Sequence, residues 1–254
     1  MLAEFVADRP LYAAVTRQQL SDATPFTIPA DITEAAVGSG VAQHVEGVNP
    51  TDGTLAFAGK TINPAAISGT FRCTREIMDA SNPAIDAIAL GVMREDFARQ
   101  AEDRIFNELN TVQSGTIAAG LVPSGAQARV SAAAALPADL RKTILAFVDV
   151  RKIRVRSVVA SSRTTVAEAL ETLDMTAYAM RDVSLELSPF ISGVAAGDGD
   201  VFALGSGDVY AWQSPVFEFT FNERVGPAFV DLAVFGYFAT KVVKPAGVAS
   251  IRHT

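Results

Sequence analysis

The chain has 254 residues, 49% of them hydrophobic, with a net charge of −7 and a single cysteine, Cys73. The acidic balance argues against binding nucleic acid by general electrostatic attraction, and one cysteine excludes an intrachain disulfide or a cysteine-cluster metal site. The length suits one large domain or two small ones, the two histidines (His44 and His253) leave little for metal or histidine chemistry, and without a basic-then-apolar leader or a run of about 18 apolar residues the expected product is soluble and cytoplasmic.

In chain order, a short helix is expected over residues 11–20, after Pro10, read as a docking or capping element. Residues 21–68 show no helical period. Four prolines and five glycines separate β-like runs at 41–45, 54–57 and 67–74. So long a structureless connection does not suit a compact domain. The segment is either disordered or an extended arm and hairpin ordered by another chain, and its Val, Ile, Phe and Thr content favours the second. A lone two-stranded hairpin is marginal in water, so such an arm predicts neighbours.

Residues 83–110 read as one long helix. Asn82 can cap it, Pro83 suits its first turn, and Asp86 favours its start. Ile85, Ile88, Ala89, Val92, Phe97, Ala101, Ile105 and Leu109 recur at helical spacing. Arg94, Glu95, Arg99, Glu102 and Asp103 are expected on the solvent face, with Glu95 paired to Arg99. Residues 111–136 read as a flexible Gly/Ala-rich loop. Residues 137–175 read helix–strand–helix: a helix after Pro137, a strand at 154–160, then a helix capped by Thr165 and Glu168. Strands are expected at 201–204, 209–212, 216–221 and 228–243. In the third of these, Phe217, Phe219 and Phe221 alternate with Glu218 and Thr220, which predicts one buried face. In the fourth, residues 228–238 are apolar on both faces except at Asp231, which predicts a central strand or one covered on both sides.

The chemistry-bearing motifs are weak. Residues 53–61, G-T-L-A-F-A-G-K-T, approach a phosphate-binding loop, but five residues separate the glycines where four are needed, and Pro64 stands where a helix should follow. A β-hairpin carrying a basic residue is the better reading. Gly197-Asp198-Gly199-Asp200 lacks the spacing of a calcium loop and reads as a turn. Arg151, Lys152, Arg154 and Arg156 lack the aromatics of a nucleic-acid patch and read as a solvated face or an intersubunit charge pair. Glu102 and Asp103 read as solvation, and Cys73 as a buried structural thiol. No catalytic, cofactor-binding or metal residue is assigned.

Three stretches carry a family resemblance: residues 44–82, which look like an extended loop returning into T-R-E-I-M-D; the helix at 83–109; and residues 204–245, with G-S-G-D-V-Y-A-W and a closing V-V-K-P. Their order resembles the major capsid protein of tailed bacteriophages, the Hong Kong 97-type fold. Thr74 precedes Arg75-Glu76 where the family often has Ser. The resemblance implies an α+β fold with an N-terminal arm (1–45), an extended β-hairpin loop (46–72), a peripheral domain with the spine helix (73–135 and 214–250) and an axial domain (136–213). It implies a non-enzymatic subunit that assembles as pentamers and hexamers into an icosahedral head shell. That shell would enclose double-stranded DNA without sequence-specific binding and without a membrane or cofactor. Scaffolding, portal and decoration proteins would be partners, and assembly in the host bacterial cytoplasm would yield the virion capsid. Lys60, the only lysine of the loop, and Arg75, Glu76, Arg154 and Arg156 are the candidate intersubunit contacts. No crosslink is carried over to Lys60. A nanocompartment shell of the encapsulin type, enclosing an enzyme cargo, is the alternative.

Overall fold

The computed structural model describes residues 9–34, 55–80, 85–111, 116–117, 128–131, 136–149, 154–162, 164–171, 173, 182–191, 201–205, 207–221, 229–243 and 247–253. The expected strand at 41–45, the cap at Asn82, the turn at 197–200, residues 151–153 and His44 lie outside these residues.

The long helix is present as α3, following α1 (Pro10–Ala14) and α2 (Arg75–Ala80). It runs Ile85–Thr111, 27 residues, or about 40 Å at 1.5 Å per residue. Phe97, Ala101, Ile105 and Leu109 are buried along it, as their spacing requires. Arg99 pairs with Asp96 rather than the expected Glu95, because the pair three residues apart also shares a helix face.

The β-sheet beneath α3 is built around β12 (Phe229–Val242). One edge of β12 pairs with β4 (Ala65–Thr74) along all of β4, Phe229 opposite Thr74 through Phe238 opposite Ala65. Its other edge is shared end to end by β11 (Phe217–Phe221) and β10 (Val209–Gln213). The link between those two strands keeps its pairing. The Ser214 amide donates to the Tyr237 carbonyl, and the Tyr237 amide donates to Ser214 Oγ. Beyond β10 lies β1 (Thr16–Gln19), running parallel to it. The expected helix at 11–20 is therefore corrected. It stops at Ala14, and the polar run that follows is a strand held by the edge of β10, a nonlocal pairing with no hydrophobic period of its own.

The second sheet has the order β5–β6–β13–β9–β7–β8. Its strands are β5 (Thr116–Ile117), β6 (Ala128–Ser131), β7 (Val155–Ser161), β8 (Ser184–Ser188), β9 (Val201–Gly205) and β13 (Val248–His253), with α4 (Leu136–Asp149) and α5 (Thr164–Glu171) beside them. The segment expected as a loop at 111–136 thus contributes two short strands. Thr165 lies inside the first turn of α5 instead of capping it. In sheet membership β10 goes with β12, while β6 and β13 go with β7 and β9. The chain passes between the sheets through Gly207, whose φ of 76° is open to glycine at little cost.

One core joins both sheets. Leu11 and Val15 of α1 and Phe97, Ala101, Ile105 and Leu109 of α3 pack with Val159, Phe202 and Leu204 of one sheet and Val209, Val234 and Phe238 of the other. Gly236 allows the helix its close approach. A Cβ there would stand 2.9 Å from the Phe97 ring and 3.4 Å from Ser214 Oγ. The ring is buried in the shared core, so Gly236→Ala is expected to cost about 1–3 kcal/mol through overpacking, read from urea unfolding of the unassembled chain.

Candidate assembly interface

Among the described residues, strands β2 (Phe26–Glu34) and β3 (Leu55–Ile62) pair only with each other, as an antiparallel ribbon with an irregularity between Ala30 and Ile32. The two strands straddle the expected boundary at 45/46, so the ribbon joins part of the expected arm to the expected loop. Residues 59–61 are extended strand, which removes the phosphate-loop geometry. The described contacts of the ribbon with the body lie at its base. There Ile62 is buried in a cluster with Leu20, Trp212 and Ala239, and Phe26 and Ile28 pack against it. Phe26 meets Trp212 edge to face, ring centroids 5.3 Å apart.

Lys60 is half-buried at this base. Its Nζ donates to the Val243 carbonyl at 2.8 Å, with the Val242 carbonyl at 3.5 Å. Within its own chain it anchors the base of the ribbon to the end of β12. Arg75 and Glu76 open α2 and are exposed. Arg154 pairs with Asp182 of its own chain across exposed surface, and Arg156 is exposed on β7. The five residues are not brought together. Lys60 is in the base of the ribbon, Arg75 and Glu76 follow the end of β4, and Arg154 and Arg156 lie at the start of β7.

Two apolar surfaces lie uncovered. Phe217 and Phe219, expected to be buried, are 48% and 45% exposed. They stack at 6.5 Å on the face of the sheet opposite α3. Phe217 is in register with Phe235, which meets Tyr237 edge to face. The alternation identified the strand correctly, but the buried face is the one carrying Val234 and Leu232 of β12. The neighbouring Glu218, on the helix side, takes a salt bridge from Arg94. The second surface is a groove of about 470 Å³ between the first half of α3 and β4, lined by Ile67, Phe71, Ile88, Val92, Met93 and others. The apolar stripe of α3 is thus buried in its second half and open in its first.

Electrostatics at these surfaces is ordinary. The guanidinium of Arg94 holds the Glu218 carboxyl below the usual range by hydrogen bonding, and Arg72 does the same to Asp231. Their stabilisation is present above the ordinary carboxylate pKa and fades as pH falls through the lowered one. Both pairs are exposed to solvent, so they contribute little. Cys73 is buried, its Sγ 3.6 Å from the Val230 carbonyl, and burial raises its thiol pKa. That agrees with a structural thiol. Among the described residues no three His, Cys, Asp or Glu side chains gather to hold a metal, and no helix is long and apolar enough to cross a membrane.

Sequence reasoning missed Glu102. Expected on the solvent face, it is 0% exposed. Its two carboxylate oxygens accept the backbone N–H of Leu11 at 3.0 Å and of Tyr12 at 2.8 Å. These are N-terminal donors of α1 that have no side-chain cap of their own. Arg9 approaches the same carboxylate at 4.0 Å, lies over the Tyr12 ring at 3.8 Å and donates to Gln213 Oε1. Burial lowers the pKa of its guanidinium. Nothing local marks Glu102, since the segment that covers it is some ninety residues away.

The comparisons agree with this geometry. The family model of the phage capsid family matches residues 1–181. No curated protein matches the chain significantly in sequence. Among solved structures, the capsid of an empty GTA particle superposes with a TM-score of 0.70 at 15% identity, over 97% of this chain and 90% of that one. A structure from Microbacterium phage Oxtober96 gives 0.65 at 13%, over 96% and 90%. The mature capsid of bacteriophage PhiM1 gives 0.67 at 11%, over 96% and 86%. The chain therefore belongs to the phage capsid family and has the Hong Kong 97-type fold of a major capsid protein.

Proposed function

We propose that this capsid protein builds an icosahedral head shell from pentamers and hexamers of itself, enclosing double-stranded DNA without reading its sequence. One observation carries the reading. A two-stranded ribbon is marginal alone, and β2–β3 has its described contacts with the body only at the base. The ribbon is therefore positioned to complete itself on another copy. The bare Phe217–Phe219 face and the α3–β4 groove support the same reading, because large exposed apolar patches mark interaction sites. Subunits of a closed shell meet through heterologous contacts that close by symmetry. An acidic chain suits packaged DNA, which a strongly basic wall would hold by counterion release.

The role is structural rather than enzymatic, and the product is the virion capsid. Assembly in a bacterial cytoplasm, with scaffolding, portal and decoration proteins as partners, belongs to this proposal. The encapsulin alternative is not favoured, since the matching family and the similar structures are capsids of phages and of a GTA particle. Electron microscopy of the purified chain tests the reading. Closed, hollow particles of uniform size are expected. A monomer that persists across a wide concentration range overturns it.

A further inference from the structure

The base of the ribbon meets the body at a point fixed from several directions. Glu108 of the spine helix accepts from the Val242 amide at 3.3 Å and pairs with Lys241 Nζ at 3.0 Å. The Val243 amide donates to the Asp208 carbonyl at 2.8 Å. The end of β12 is thus tied both to α3 and to the turn that joins the two sheets. Lys60 reaches this same point, giving its ammonium hydrogens to the carbonyls of Val243 and Val242.

The other attachment of the ribbon base is apolar, through Phe26, Ile28 and Ile62 on Trp212 and Ala239. Apolar contact holds two surfaces together without fixing their direction. A charge-assisted hydrogen bond does fix it, being short and directional. At Gly59, one residue further out, a Cβ would stand 2.8 Å from the Thr27 methyl, so the two strands are pressed together where the ribbon departs.

We propose that Lys60 is a positioning residue for assembly: it sets the angle at which the ribbon leaves the body, so that the ribbon meets a second copy already oriented. The inference rests on the reading that the ribbon docks on another copy, and it assigns that docking a specific intrachain determinant. Preorganising a segment before association strengthens binding by lowering the entropy lost on docking. Lys60 therefore acts on the concentration at which shells form, while the fold of the body is independent of it.

The test is Lys60→Met, which keeps the apolar stem and removes the donors. In the unassembled chain, amide exchange across β2 and β3 is expected to rise about tenfold, the change that matches one charge-assisted hydrogen bond. Exchange in β4 and β12 and the melting temperature should stay unchanged. The concentration needed for particle formation should rise several-fold, and Lys60→Arg should restore both readouts in large part. Ribbon exchange equal to that of the unsubstituted chain, or a rise shared equally by β4 and β12, overturns the inference. If the unsubstituted chain forms no particles, the capsid reading fails, and the exchange comparison still decides the role of Lys60.

Discussion

Replacing residues 30–58 by a two-residue Asn-Gly turn is expected to leave a folded subunit that no longer forms closed shells. Pro29 and Gly59 are register partners, so a two-residue turn of the type that suits hairpins can join the strands there. The shortened ribbon keeps Phe26, Ile28, Lys60 and Ile62, which are the residues that hold it to the body. The change removes strand that has no described packing against the rest of the subunit, so unfolding should shift by no more than about 1 kcal/mol. Assembly should change completely. Permanent interfaces commonly bury above about 2,000 Å², and a ribbon reaching across a neighbour supplies such area where flat subunit edges do not. The checks are urea unfolding for the body and electron microscopy for particles. Normal closed shells from the shortened chain would show that the ribbon does not join subunits.

How far the sequence disclosed this arrangement depends on which forces are local. The period of α3, from Ile85 to Leu109, is written in neighbouring residues, and so were β9 to β12, whose apolar runs are bounded by glycine and proline. Elements completed by distant partners were not legible. Thr16–Gln19 has no apolar period and is a strand only because β10 offers an edge. Thr116–Ile117 and Ala128–Ser131 sit in a small-residue stretch, and each is a strand because a neighbour pairs with it. Phe217 and Phe219 show the limit most clearly. Alternation says that a strand has two unlike faces, but not which of them the same chain covers. The faces are sorted by α3, which takes Val234 and Leu232 and leaves the phenylalanines bare. For an assembling subunit that exposure carries information, since a second copy can supply the cover. Of the five candidate contacts, Lys60 also bonds within its own chain, to the carbonyls of Val243 and Val242. Only the extended shape of its segment had been readable, not the carbonyls it would reach.

The second large effect is expected at Glu102. Glu102→Ala should destabilise the unassembled subunit by about 2–4 kcal/mol, since it leaves the backbone N–H groups of Leu11 and Tyr12 without their acceptor and removes the charge facing the half-buried Arg9. Both Leu11 and Tyr12 donate to this carboxylate, and α1 has no alternative cap. The consequences extend past the helix end. Leu11 belongs to the core that both sheets share, and Ser157 of β7 donates to the Ala14 carbonyl at 3.4 Å, so α1 bridges the spine helix to the second sheet. Releasing it should also free β1 from the edge of β10. Amides of residues 10–19 are therefore expected to lose exchange protection first, ahead of those in β12. Glu102→Gln retains one acceptor oxygen but turns an N–H₂ toward the second amide, and should lie roughly midway between the two. Urea unfolding gives the magnitude, and residue-resolved hydrogen exchange gives the order of opening. A loss below about 1 kcal/mol for the alanine variant, the size of an exposed interaction, would mean that α1 is held by apolar packing of Leu11 and Val15 alone and that the carboxylate beneath it is incidental.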